Sequence, residues 1–231
     1  MIDFEHQKVS ISGQTIPVME DNLQIDSIES FIIYCARVSN PESQVANLNN
    51  QGLMKYLIRN AHWSPFEMGS ITMRIETTRD IARQMLRHRS FSFQEFSQRY
   101  AAVSDFIEHR QTRMQDTTNR QNSIPCASNA DIFWWNDRQK EVIKVASENY
   151  YAALDRGIAK EQARVLLPEG LTSSTLFMAG TVRSWIHYAD LRCANGTQLE
   201  HMDIANKVKT CLLEELPSLG EYFDEQQKDT S

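Results

Sequence analysis

The run Ile71-Thr72-Met73-Arg74-Ile75-Glu76-Thr77-Thr78-Arg79-Asp80-Ile81-Ala82-Arg83-Gln84-Met85-Leu86-Arg87-His88-Arg89 changes period half-way along. Ile71, Met73 and Ile75 alternate with Thr72, Arg74 and Glu76, the period-two pattern of a strand with one buried face. Thr77-x-x-Asp80 then reads as a helix-capping box, and Ile81, Ala82, Met85 and Leu86 form an apolar stripe at helical period. Gln84, Arg87 and His88, spaced i, i+3, i+4, share a different face. Strand, helix and Arg-His-Arg turn therefore make one rigid unit. Groups on the ends of regular elements are held more closely than groups on a free loop.

The chemistry is concentrated just beyond. From Arg79 to Tyr100 there are five arginines against two carboxylates, a net +3, and no lysine. Arginine used alone suggests forked contacts to phosphate or carboxylate rather than a diffuse basic surface. Ser90, Ser92 and Ser97 add hydroxyl donors, and Phe91, Phe93, Phe96 and Tyr100 add rings. A solvated basic face is the competing reading of such a run. The apolar stripe behind Arg87 favours a pocket wall.

Around this segment the chain is ordinary. Its 231 residues suit one sizeable domain with a core that needs no disulfide or metal. The four cysteines (35, 126, 193 and 211) lack C-x-x-C or zinc-ligand spacing, and read as reduced and mostly buried. No basic leader with an apolar run opens the sequence, and no apolar stretch approaches a membrane span. A formal charge of −6 argues against general nucleic-acid binding. A soluble, cytoplasmic protein with one local cationic pocket is the simplest expectation.

In chain order, Val9-Ser10-Ile11 and Ile16-Pro17-Val18 read as a hairpin around Ser12-Gly13-Gln14-Thr15. Asp26 or Ser27 caps a helix burying Ile28, Phe31, Ile32, Cys35 and Ala36, which Asn40-Pro41 stops. Asn50 caps another, with Leu53, Leu57 and Ala61 inward. Residues 101–136 show no apolar period and read as a surface excursion. Within it Phe133-Trp134-Trp135 suits a subunit contact or a substrate wall equally. A helix from about Asp137 has Val142, Val145, Ala146, Tyr150 and Ala153 as its inner stripe. A short helix carries Arg164, Leu171 to Ala179 reads as a strand, and the next helix places Arg183 and His187 on one face. A last helix buries Met202, Val208, Leu212 and Leu213, and the acidic residues from about 221 to 231 read as a frayed tail. The expected class is α+β: a mainly antiparallel sheet packed with several helices, in a single domain over 1–231.

Arg87-His88-Arg89, seven residues, then Ser97-Gln98-Arg99-Tyr100 resembles the signature of the flavin-dependent thymidylate synthases. The resemblance extends from about Ala36 to Glu200. It implies an FAD enzyme that methylates deoxyuridylate (dUMP) to dTMP, with methylenetetrahydrofolate as carbon donor and NADPH as reductant. It also implies a homotetramer with sites shared between subunits. The family places Ser39, His62, Ser64, Glu67, Arg87, His88, Arg89, Arg183 and His187 at the flavin. It places Gln84, Glu95, Phe96, Ser97, Gln98, Arg99, Tyr100, Arg164 and Arg192 at the nucleotide, with Arg192 also the catalytic group. Met68 and Gly196 stand where relatives often carry histidine, and Thr181 where some carry asparagine.

Plainer roles stand beside several of these. Ser39 also suits the end of a helix, His62 a hydrogen bond before a turn, and Arg164 a surface ion pair. Ser97 lacks the strained G-x-S-x-G turn of a serine nucleophile and reads as a nucleotide-binding hydroxyl. No G-x-G-x-x-G follows a strand, so the hydride a side chain cannot deliver needs a differently bound cofactor. A single-stranded RNA binder would use the same arginines and phenylalanines but not the acidic remainder. A metal-dependent hydrolase would need a carboxylate or histidine cluster that the spacing does not offer, so no metal is expected.

Overall fold

The computed structural model describes residues 4–18, 25–46 and 51–229. The first elements are β1 (Lys8–Gln14), α1 (Ile28–Ala36), α2 (Pro41–Ala46), α3 (Gln51–Arg59), β2 (Ser70–Thr78), α4 (Arg79–Met85) and β3 (Ser92–Glu95). There follow β4 (Arg113–Gln115), β5 (Ser123–Pro125), α5 (Asn129–Asp155), α6 (Lys160–Ala163), β6 (Ser173–Thr181), α7 (Val182–Arg192), α8 (Leu199–Glu215) and α9 (Gly220–Asp229).

The expected α+β class is what the chain builds. A four-stranded sheet has the order β1-β2-β6-β3, with every pair antiparallel. Its centre is β2 against β6, in register from Ser70 opposite Thr181 to Thr78 opposite Ser173. The predicted alternation holds: Ile71, Met73 and Ile75 are fully buried, and Leu176 and Met178 join them from β6. Helices α1, α4, α7 and α8 cover that face, and Ile28, Ile32, Ile81, Met85, Trp185, Ile186 and Val208 complete one core. Trp185 spans the layers, its indole N–H donating to the Ile71 carbonyl at 2.9 Å.

Several local expectations change. The hairpin at Val9–Val18 does not form. Lys8–Gln14 is one strand that pairs with β2, through a register shift between Ile11 and Gly13. A central strand offers more ladder than a two-residue return past Pro17. Ser27 caps α1 as read, accepting from the Ser30 amide, but Ile33 is buried where Phe31, Cys35 and Ala36 are only partly so. Asn50 lies outside the described residues. In α3, Met54, Leu57 and Ile58 face inward, while Ala61 is exposed past the helix end in a left-handed conformation (φ 54°). Thr78, one residue after the expected cap, is the N-cap of α4, and its hydroxyl bonds Asp80 rather than a backbone amide.

The polar excursion contains order. Arg113–Gln115 pairs with Ser123–Pro125, and Ser128 caps α5 eight residues earlier than expected. Only Gln139 and Tyr150 of α5 are buried. Of the stripe read as its inner face, Val142 and Val145 are 51% and 52% exposed and line an open groove of about 630 Å³ with Ala146, Ala153, Ile158 and Leu166. A small second core at Val103, Tyr150, Ala163 and Leu167 holds the end of α5 to the body. Of the tail expected to fray, residues 221–229 are helical instead, because Phe223 is buried and the Tyr222 hydroxyl donates to Asp190 at 2.7 Å.

Candidate active site

Two groups of predicted residues gather on either side of α4. The first lies where the Arg87-His88-Arg89 turn meets the end of α7. Arg192 Nε donates to His88 Nε2 at 2.9 Å. His88 is half-buried, and burial followed by the Arg192 charge lowers its pKa to about 4. A neutral imidazole accepts from one guanidinium nitrogen and leaves the other two for a ligand. The Ser184 hydroxyl donates to the Ser90 carbonyl at 3.3 Å, tying the turn to the first turn of α7. Phe91 packs edge-on against Trp185 with centroids 4.7 Å apart.

Arg87 and Arg89 are exposed and make no side-chain hydrogen bond or ion pair among the described residues. Arg183, as predicted on the same face of α7 as His187, pairs with Glu67. The His187 ring stands 4.9 Å from that of Trp63, edge to face. Two uncommitted guanidiniums, a carboxylate–guanidinium pair and an aromatic wall are a donor set suited to a flavin dinucleotide: forks for the pyrophosphate, rings for the tricyclic system. Ser64, exposed, opens the one-turn helix that ends at Glu67. His62 and Ser39 are placed less directly. The His62 ring meets Tyr56, centroids 5.8 Å apart, and its amide donates to the Leu57 carbonyl at 2.8 Å. Ser39 lines a different hollow of about 510 Å³ with Arg37, Asn40 and Ser43.

The second group surrounds a polar cleft of about 530 Å³ lined by Arg79, Arg83, Gln98, Glu161, Arg164 and Glu169. Arg164 makes no ion pair among the described residues, unlike the surface pairing weighed for it. Arg99 reaches Glu161 at 3.4 Å, the Ser97 hydroxyl accepts from the Arg99 amide at 3.4 Å, and Tyr100 is 83% exposed. Phe96 packs on the second core, and Gln98 is buried. Glu95 is already engaged: Arg79 pairs with it at 2.9 Å and the Ser174 hydroxyl donates to it at 2.8 Å. No hydrogen bond, ion pair or ring contact links Arg99, Tyr100 or Arg164 to Arg192, Arg87 or Arg89 among the described residues. The predicted residues therefore form two groups without a direct contact between them. Gln84, at the far end of α4 from Arg79, belongs to the first.

Sequence reading missed the groups that hold these walls. Arg110 forks onto Asp80 and also donates to Thr78, pinning the start of α4. Arg113, from the hairpin, donates to both oxygens of the buried Glu200 at 2.7 and 2.9 Å. Burial alone would raise the Glu200 pKa, but the Arg113 charge and hydrogen bond bring it below the ordinary value. His201, fully buried, has its pKa lowered to about 3 by desolvation first, then by Arg192 and His88. Glu200-His201 opens α8 as an adjacent polar pair ahead of the apolar stripe, the one signal that marks them. Arg110 and Arg113 lie in a polar run with no periodicity to flag them.

No group of three or more histidines, cysteines, aspartates or glutamates able to hold a metal occurs among the described residues. No helix among them is long and apolar enough to cross a membrane.

The profile of the family described as thymidylate synthase complementing protein matches residues 23–218. The chain belongs to that family. It is 48% identical over 210 residues to the probable flavin-dependent thymidylate synthase of Paramecium bursaria Chlorella virus 1, covering 91% of this chain and 95% of that protein. It is 46% identical over 194 residues to the flavin-dependent thymidylate synthase of a Synechocystis species, covering 84% and 88%. Among solved structures it resembles a UMP/dUMP methylase from Streptomyces cacaoi bound with 5-Br dUMP. That match has a TM-score of 0.78 and 27% identity, covering 95% of each chain.

Proposed function

We propose that this chain is a flavin-dependent thymidylate synthase, a methyltransferase of nucleotide biosynthesis that converts dUMP to dTMP. The observation that carries the reading is the Arg192–His88 contact, which joins the end of α7 to the arginine-rich turn and leaves guanidinium donors uncommitted beside Arg87 and Arg89. FAD, when bound, supplies the hydride that no side chain can. Arg87, Arg89, His88, Arg183, His187, Glu67, Ser64, His62 and Ser39 are assigned to hold it. Methylenetetrahydrofolate is the carbon donor and NADPH the reductant.

Arg164, Arg99, Ser97, Gln98, Tyr100, Phe96 and Glu95 are assigned to the nucleotide from the cleft side, and Gln84 and Arg192 from the other. The guanidinium nitrogens of Arg192 not bonded to His88 would stabilise charge developing on a pyrimidine oxygen. Such preorganised donors need no reorganisation during the reaction. His88 holds Arg192 in place by accepting a hydrogen bond from its Nε–H, which requires the imidazole to be neutral. No cysteine serves as nucleophile.

A homotetramer with shared sites accounts for two separate groups within one chain and for the apolar stripe of α5 left open to solvent. Optical titration tests the whole reading. Purified protein carries releasable flavin, and dUMP perturbs its absorbance. Arg89→Ala loses flavin, while Arg192→Ala keeps flavin and loses dTMP formation. A colourless protein that binds no added FAD refutes the assignment.

A further inference from the structure

Behind His88 runs a line of buried and part-buried hydrogen bonds whose directions can be read from one end. Glu200, 2% exposed and paired with Arg113, is an ionised carboxylate and can only accept. The group 3.0 Å from its Oε2 is therefore the Gln198 amide nitrogen, which turns the Gln198 carbonyl toward Gln84. The Gln84 amide nitrogen donates to that carbonyl at 2.7 Å, so Gln84 Oε1 faces His201. A carbonyl only accepts, so His201 Nδ1, 3.1 Å away, carries the imidazole proton. His201 Nε2 then accepts from the Tyr188 hydroxyl at 3.1 Å. Five side chains form one directional relay that begins at the Arg113–Glu200 ion pair.

One member reaches outward. Gln84, half-buried like Gln198, stands one helical turn before His88, with its carbonyl engaged by His201 and one N–H by Gln198. What remains is one amide N–H. We propose that the relay is a positioning network for the substrate nucleotide, with His201 as its positioning residue. It holds the Gln84 carbonyl inward, so that only a donor is presented to an acceptor oxygen of the pyrimidine nucleotide. This rests on the reading of Gln84 as a nucleotide contact. Without His201 the Gln84 carbonyl loses its buried partner and the Gln198 contact alone opposes a turn of the carboxamide, so a flipped population offers a carbonyl to the same oxygen, replacing attraction by repulsion.

The imidazole sits among groups that make the bond one-sided. His88 and Tyr188 flank it, with ring centroids 6.3 and 5.8 Å away, and Arg192 lies close enough to disfavour a second proton. Burial of the Tyr188 hydroxyl raises its pKa, so it stays protonated and keeps donating. The carboxamide of Asn places its nitrogen near the Nδ1 position of histidine, and that of Gln places its nitrogen near Nε2. Isosteric exchange therefore separates the two bonds.

The test is dUMP binding to flavin-loaded protein by calorimetry, with melting temperature recorded for each variant. His201→Asn, which keeps a donor to Gln84, should bind dUMP within about twofold of wild type. His201→Gln and His201→Leu should bind roughly tenfold more weakly, as expected for one misdirected hydrogen bond. In a Gln84→Ala background the His201 substitutions should have no further effect on dUMP affinity. Equal affinities for the Asn and Gln variants would overturn the proposal, and this comparison stands even if the Leu variant does not fold. So would a His201 effect that persists without Gln84, which marks a structural role. Wild-type protein that takes up flavin but shows no heat with dUMP would instead overturn the functional reading beneath it.

Discussion

Gly180 occupies the point where the sheet meets the arginine-rich turn, and adding one methyl there should loosen both. In β6 it pairs with Ile71, and a Cβ built on it would press into the Phe91 ring. Cδ1 would be the nearest atom, with Cε1 at 2.6 Å and Cγ at 3.3 Å. Ordinary carbon contacts lie at about 3.5–4.0 Å, so the ring must retreat by roughly 1 Å. Its buried side is closed to retreat: Trp185 stands 4.7 Å away, with Tyr188, His88 and Phe93 rings at 6.1, 6.3 and 6.3 Å. Overpacking of this kind costs about 1–3 kcal/mol. For a chain of this length a midpoint of about 2 kcal/mol lowers the melting temperature by roughly 4–8 °C. Phe91 is two residues from Arg89, so Gly180→Ala should also reduce flavin bound per subunit. Differential scanning calorimetry and flavin absorbance measure the two effects. Trimming the obstruction isolates the cause: in a Phe91→Ala background the Gly180 substitution should cost at least 1 kcal/mol less, on the order expected for contacting residues. A Gly180→Ala protein that melts within about 1 °C of wild type with full flavin refutes the reasoning, as does strict additivity with Phe91→Ala.

Other outcomes follow from buried charge. Glu200→Gln leaves the Arg113 guanidinium, itself only 13% exposed, facing a neutral amide, and should destabilise the fold by about 3–5 kcal/mol in urea unfolding. A loss below about 1 kcal/mol would show the pair to be dispensable. His201 is neutral in the fold down to about pH 3, whereas the unfolded chain takes up its proton near pH 6.5. Its stabilising contribution is thus complete above pH 6.5 and is lost as pH falls toward 3. It accounts for roughly 2 kcal/mol between pH 7 and 5. His88 adds a smaller part in the same direction because it is only half-buried. His201→Asn should flatten this acid slope, and an unchanged slope contradicts the assignment. Burial raises the thiol pKa of Cys35 and Cys211, and pushes that of Cys193 to about 11, leaving little thiolate to attack at neutral pH. Replacing Cys35, Cys126, Cys193 and Cys211 together should leave dTMP formation within about twofold. Loss of turnover from any single replacement that still binds flavin argues for cysteine chemistry.

What could be read in advance was whatever packing makes periodic. Ile71, Met73 and Ile75 announced the central strand, and the apolar spacing of Ile81, Ala82 and Met85 announced α4, because a buried face leaves its period in the chain, while Leu86, read into the same stripe, is exposed at the C-cap. Arg183 and His187 were placed on one face of α7 for the same reason. Errors fell where partners come from far away in sequence. Lys8–Gln14 chose β2 over its own neighbour, a pairing across some sixty residues that local turn residues cannot foretell. The stripe on α5 was recognised as apolar, but sequence cannot say whether the same chain covers it. Arg113 reached Glu200 across 87 positions, and nothing near either residue reports a bidentate pair. His201 was hidden by its company, a polar residue at the start of a helix that reads as surface until Tyr188 and Gln84 close over it.

The open face of α5 has a last consequence, for how this chain tolerates change. Were the assembly proposed above to seat α5 against its own copy about a twofold axis, each side chain would lie beside its twin. One codon would then rewrite both walls of the seam at once. A carboxylate introduced at Val145 would confront its like, with no second locus free to supply the opposite charge. Drift along this helix would then be filtered by self-compatibility, and dilution would act on the chain as a mutation does, by taking the twin away.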